Sequence, residues 1–130
     1  MLELRDVTFN YGNNIPVLEH INITIGEGEF VGLGGRNGCG KTTVTRLLMG
    51  LEKPVSGDVR YNGKIINDDD ASVRSHFIGY VFQRPERQMF RPTVHDEVAY
   101  GPQQLGMSKA DIEKAVAEAL KDTGLTELAD

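Results

Sequence analysis

A single cysteine, Cys39, stands in the 130 residues. One thiol allows no internal disulfide and no cysteine-based metal site, a usage that fits a reducing cytoplasm. Long apolar runs are missing too. None approaches the ~18–20 residues that would span a bilayer, so any membrane association is expected to run through a partner. The N-terminus alternates charged and apolar residues and does not read as a signal peptide. A basic excess is also lacking, and the formal net charge is −5. Residues 1–65 hold seven Lys/Arg and seven Asp/Glu, whereas residues 66–130 hold seven against twelve. An acidic second half argues against a nucleic-acid surface. Asp68-Asp69-Asp70 lacks the glycine and distal glutamate of an EF-hand loop and reads as solvated loop. There is no internal repeat and no low-complexity tract. One domain is the ceiling for this length, and 39% hydrophobic residues suit a globular one.

What the chain does have is a dense glycine stretch, Gly35-Arg36-Asn37-Gly38-Cys39-Gly40-Lys41-Thr42-Thr43. Gly35, Gly40, Lys41 and Thr42 fit G-x-x-x-x-G-K-[ST], the phosphate-cradling loop of P-loop proteins. Glycines without Cβ let the backbone turn tightly and bring N–H groups to phosphate oxygens. Lys41 can place a point charge on the β/γ-phosphates, and the Thr42 hydroxyl is a hard oxygen ligand suited to Mg²⁺. The flanks agree with this reading. Phe30-Val31-Gly32-Leu33 reads as a buried strand before the loop, and Val44, Leu47, Leu48 and Leu51 recur at helical spacing after it, with Gly50 near the end. Strand, loop and helix in that order aim a helix N-terminus at an anion.

Elsewhere, Leu2/Leu4 and Val7/Phe9/Tyr11 alternate in two registers offset around Arg5-Asp6, which predicts a strand with a bulge or a bend. Gly12-Asn13-Asn14 is an expected turn, and Ile21/Ile23/Ile25 form a strand with one wet face. Asp58–Tyr61 and Lys64–Ile66 flank Asn62-Gly63, a strong hairpin signal. Phe77–Phe82 is a near-continuous apolar run, expected as a strand covered on both faces, with Gln83 just past its end. Capping boxes at Thr93-x-x-Asp96 and Ser108-x-x-Asp111 open two helices. Gly101-Pro102 is expected to stop the first. Gly124 ends the second, whose apolar stripe is Ile112, Ala115, Val116, Ala119 and Leu120.

With these residues assembled, the chain resembles the ATP-binding subunit of ABC transporters along essentially its whole length. The resemblance implies an α/β fold: a P-loop NTPase (RecA-like) core with an N-terminal antiparallel β subdomain, truncated before the signature motif. Residues 1–130 would be the N-terminal part of an ABC-type ATP-binding domain, with the antiparallel β and P-loop core over about 1–92 and the helical subdomain starting over about 93–130. Tyr11 matches the aromatic that stacks on adenine in that family. Gln83 matches the glutamine that contacts Mg²⁺ and the attacking water. The implied nucleotide-binding set is Tyr11 with Gly35, Arg36, Asn37, Gly38, Cys39, Gly40, Lys41, Thr42 and Thr43. Lys41 and Gln83 are implied in catalysis, Thr42 and Gln83 at the metal, and ATP and Mg²⁺ as cofactors. Val81-Phe82-Gln83-x-Pro85-Glu86-x-Gln88-x-Phe90, then Pro92-Thr93-Val94 and Asp96-Glu97-Val98-Ala99-Tyr100-Gly101-Pro102, is similar to the energy-coupling-factor and cobalt/nickel transporter ATPases.

That resemblance further implies uptake of a metal ion (cobalt or nickel) or a vitamin, a transmembrane transporter subunit and a second ATP-binding subunit as partners, and a peripheral place on the cytoplasmic face of the membrane. The family's Leu-Ser-Gly-Gly-Gln signature, acidic Walker B strand and switch histidine do not occur among these residues, and His20, His76 and His95 read as ordinary surface or strand residues. The expectation is a fragment or truncated frame that binds Mg-nucleotide weakly without family-like turnover, since a positioned water and charge stabilisation are both needed. The alternative is a non-catalytic nucleotide-binding or interaction module. A P-loop protein of DNA repair or a small-molecule kinase fits less well, because Thr43 and Gln83 are too close in sequence for a long insertion.

Overall fold

Alternation around Arg5-Asp6 produces β1 (Leu2–Phe9), which pairs antiparallel with β2 (Leu18–Ile25) and with β3 (Ser56–Tyr61). The Asn62-Gly63 turn joins β3 to the short β4 (Lys64–Ile65), giving one four-stranded sheet of order β2-β1-β3-β4. The structure, a computed structural model, describes residues 1–12 and 15–130, so the Asn13-Asn14 part of the expected turn lies outside the described residues. Two compact units are present, Met1–Tyr80 and Val81–Asp130.

The offset in β1 is a bulge. The β1/β2 register shifts between Leu4 and Val7 and again before Phe9, and Asp6 adopts φ 52°. This keeps Leu4, Val7 and Phe9 all on the buried side despite their uneven spacing. Helix α1 (Lys41–Met49) lays Val44, Leu47 and Leu48 into the same cluster as Leu4, Val7, Phe9, Leu18, Val59 and Ile66. Gly50 closes it in the left-handed conformation, as the sequence predicts.

Across the bulge, His20 also takes a left-handed backbone (φ 50°), and its Nδ1 lies 2.8 Å from Asp6 Oδ1. That hydrogen bond, with the carboxylate charge behind it, raises the imidazole pKa above its ordinary value. A raised folded-state pKa adds stability that is full below the unfolded value of about 6.5 and is lost as pH rises through the folded one. A proton NMR titration of His20 is expected to show a midpoint above ~6.5 that returns toward it in Asp6→Asn. An unmoved midpoint would mean that the pair does not persist in solution.

Two expected strands are absent. Residues 30–33 and 77–82 belong to no strand, and Phe30 and Val81 are 102% and 80% exposed. A strand exists only through hydrogen bonds to a neighbour, and the described sheet is wholly antiparallel and includes neither segment. Apolar sequence supplies the face but not the partner. The Asp68-Asp69-Asp70 run is loop only in part, because Asp70 Oδ1 accepts from Val73 N (3.1 Å) and caps the four-residue α2 (Ala71–Arg74).

In the second unit Thr93 and Ser108 cap α3 (Val94–Gln104) and α4 (Lys109–Thr123) as expected, with Oγ accepting from the N–H three residues on. Gly101-Pro102 does not stop α3, which carries Pro102 inside it. A proline so close to the C-terminus removes only one late N–H bond, and the Leu105 N–H still reaches Gly101 O (3.1 Å). Ala99, Val116 and Leu120 form the small core between the two helices, while Ala119 of the expected stripe is exposed.

Candidate functional site

The glycine stretch is a curled loop ending at the first turn of α1. Gly35, Gly38 and Gly40 all have positive φ. At Gly40 the requirement is twofold: φ is 93°, and a Cβ would stand 2.6 Å from Leu18 Cδ2, so only glycine brings the loop down against β2. Gly40 is also the N-cap of α1 and has no side chain to give its first-turn N–H groups, and no acidic residue lies in that turn. These N–H groups and the positive end of the helix dipole suit an anion. Lys41 folds back over the loop, its Nζ donating to Gly35 O and Arg36 O (2.8 Å each). A single ammonium is thus held at the mouth of a ring of backbone groups. Arg36, Asn37, Gly38 and Cys39 are exposed along its rim.

Tyr11 and Thr43, 32 positions apart, meet: the Tyr11 hydroxyl is 3.1 Å from Thr43 Oγ1. Tyr11 is 54% exposed, and its ring sits edge-on to Phe9 with centroids 4.8 Å apart. One end of the ring is tied to Thr43 at the end of the glycine loop, and much of the rest is exposed. Gln83 belongs to the second unit and is exposed. Thr45, on α1, reaches Tyr80 through a hydroxyl contact of 3.3 Å that nothing in the sequence marks.

For Mg²⁺ the donor set is thin but suitable. Among the described residues no group of three His, Cys, Asp or Glu side chains could hold a metal ion. Mg²⁺ keeps several waters and is commonly bound through substrate phosphates plus one or two protein oxygens. The exposed hydroxyl of Thr42, at the uncapped helix end, fits that accessory role.

Beyond this geometry, residues 18–130 match the family model described as ABC transporter. The chain belongs to the ABC transporter family. Its relatives within the family include the energy-coupling factor transporter ATP-binding protein EcfA of Methanothermobacter thermautotrophicus, 39% identical over 97% of this chain and 41% of that protein. The EcfA of Methanocaldococcus jannaschii is 41% identical over 96% of this chain and 46% of its own length. The chain therefore spans less than half the length of these curated relatives. Among solved structures, cbiO1 from Clostridium perfringens, described as part of the ABC transporter complex cbiONQ, superposes with a TM-score of 0.85 at 33% identity, covering 99% of this chain and 52% of that one. The bacterial ABC transporter cassette MJ0796, solved as a dimer, gives 0.80 at 30% identity, over 100% and 60%. The fold is thus that of an ABC-type ATPase, a P-loop α/β core with an N-terminal antiparallel sheet. Among the described residues no helix is long and apolar enough to cross a membrane.

Proposed function

We propose that this chain is the nucleotide-binding part of an ABC transport ATPase of the energy-coupling-factor type. The observation that carries the reading is the joined site: an uncapped helix end with Lys41 over its glycine loop, and Tyr11 bonded to Thr43 of that loop. ATP would place its phosphates in the loop and its adenine on Tyr11, with Mg²⁺ carried by the phosphates and touched by Thr42. Gln83 would supply the second metal contact and a contact to the attacking water. Lys41 would neutralise the charge that develops on the transferring phosphate. Residues 1–92 would form the antiparallel β and P-loop part, and 93–130 the start of the helical subdomain.

The partners on this reading are a transmembrane subunit and a second ATP-binding subunit, at the cytoplasmic face of the membrane. The names of the relatives, an energy-coupling factor transporter ATP-binding protein and part of the ABC transporter complex cbiONQ, support the transporter type. The cargo we propose, a metal ion such as cobalt or nickel or a vitamin, rests on the sequence resemblance alone. Cys39 provides a direct test, because it is the only thiol and is exposed on the loop rim. Alkylation by iodoacetamide is expected to slow about tenfold when Mg-ATP is present at ten times its Kd, with adenosine giving no comparable protection. Equal labelling with and without Mg-ATP would overturn the site.

A further inference from the structure

Arg74 is the one cation fully buried among the described residues (0% exposed), and the partners of its guanidinium are backbone carbonyls. Nη1 donates to Leu47 O (2.7 Å) and Leu48 O (2.9 Å), Nε to Asp69 O (2.9 Å), and Nη2 to Ile66 O. Taking a guanidinium out of water is costly unless its donors are satisfied, and burial pulls this pKa down from its usual value. The compensation comes from where the group sits. Leu47 and Leu48 are in the last turn of α1, at the negative end of the helix dipole, and Leu47 O accepts from the capping Gly50 N–H (3.2 Å) as well as from the guanidinium. The turn after α1 is shaped around the guanidinium: a Cβ at Gly50 would stand 2.9 Å from both Arg74 Nε and Asp69 O.

The same residue grips the chain on its other side. Arg74 O accepts from Phe77 N (3.0 Å) and Ile78 N (2.8 Å), opening the segment that continues toward Gln83. Thr45 and Tyr80 make a second tie between α1 and that segment. Helix α1 spans only nine residues, too few to hold its own direction in water, and its other end is the phosphate loop. Core packing of Val44, Leu47 and Leu48 holds its flank, and Arg74 fixes its base, so a shift at that base tilts the tip.

We infer that Arg74 is a positioning residue for the nucleotide phosphates: by fixing the base of α1 it sets the direction in which Lys41, Thr42 and Thr43 meet them. The inference rests on the nucleotide-binding reading above. Its test compares the full chain with Arg74→Lys, which keeps the charge and loses the fork, and Arg74→Met, which keeps length alone. ADP affinity by calorimetry and adenosine affinity by NMR titration are measured on protein shown folded by circular dichroism. Arg74→Lys is expected to bind ADP about tenfold more weakly and Arg74→Met more weakly still, with adenosine unchanged in both, since small misplacements are costly at a phosphate site. Should Arg74→Met not fold, Arg74→Lys alone decides. Variants that melt earlier yet bind ADP as tightly as the wild type would make Arg74 a purely structural residue and overturn the inference alone. A wild-type chain that binds no ADP would overturn the nucleotide reading and this inference with it.

Discussion

Replacing Lys41 with alanine is expected to weaken Mg-ATP binding by roughly 10- to 100-fold while leaving the fold intact. The estimate follows from removing one charge-assisted contact of about 1.5–3 kcal/mol to phosphate. The fold is spared because Lys41 Nζ bonds to Gly35 O, Arg36 O and, at 3.8 Å, Cys39 Sγ, all on an exposed rim that water can satisfy. The loss should grow with phosphate number, largest for ATP and absent for adenosine, because the ammonium addresses the β/γ end. Raising salt should shrink the difference between wild type and variant by screening the same charge. Lys41→Arg is not expected to rescue, because a planar fork does not fit where a compact ammonium bridges two carbonyls. Calorimetric titrations at matched ionic strength check this. Identical Kd values for ATP in wild type and Lys41→Ala would remove the loop from the binding site.

Gly57→Ala is expected to cost at least about 3 kcal/mol and to lower the melting temperature by more than ~10 °C. Gly57 lies on β3 with φ 84°, and a Cβ there would stand 2.3 Å from Asp6 O and 2.5 Å from Arg5 O. Both obstacles are backbone, so no side-chain rotation relieves them. The β1 bulge at Asp6 and the glycine of β3 are therefore one device: the bulge pushes a carbonyl outward, and the glycine accepts it. Gly63→Ala is the control. It shares a left-handed φ of 81° but has nothing within 4 Å of the added carbon, so it should lose only the conformational share of about 1–2 kcal/mol. Thermal denaturation followed by circular dichroism separates the two. Equal losses at both positions would show that strain in φ, not the packing of β3 on the bulge, is what glycine relieves.

The sequence made the local features legible because each is set by neighbouring residues. The bulged β1, the Asn62-Gly63 hairpin, the glycine closures at Gly50 and Gly124 and the caps at Thr93 and Ser108 all depend on chemistry within a few positions. The curl of the glycine loop at Gly35, Gly38 and Gly40 was legible for the same reason, positive φ being what glycine permits. What failed depends on distant partners. Phe30–Leu33 and Phe77–Phe82 have strand-like composition, but pairing is a property of two segments, and composition reports only one. Pro102 misleads in the opposite direction: a helix breaker in isolation is tolerated where few N–H bonds remain to be lost. Arg74 carries no local mark at all, because a charged side chain is expected outside, and only the converging carbonyls of α1 and of Ile66 and Asp69 explain it. For Tyr11, position alone favours an ordinary strand aromatic. The family resemblance singled it out, and the fold then placed its hydroxyl on Thr43.

The register of β1 also has a kinetic side. Leu2 pairs with Ile25 on one flank and with Tyr61 on the other, and the phosphate loop and α1 lie in the stretch of chain closed by the second pairing. Closing so long a loop is paid in entropy before any contact rewards it, so contact order should make this closure the slow event of folding. The glycine loop, enclosed by that pairing, would then be assembled late. Nucleotide would then act on the chain as a ratchet, slowing escape from the native state without hastening arrival there.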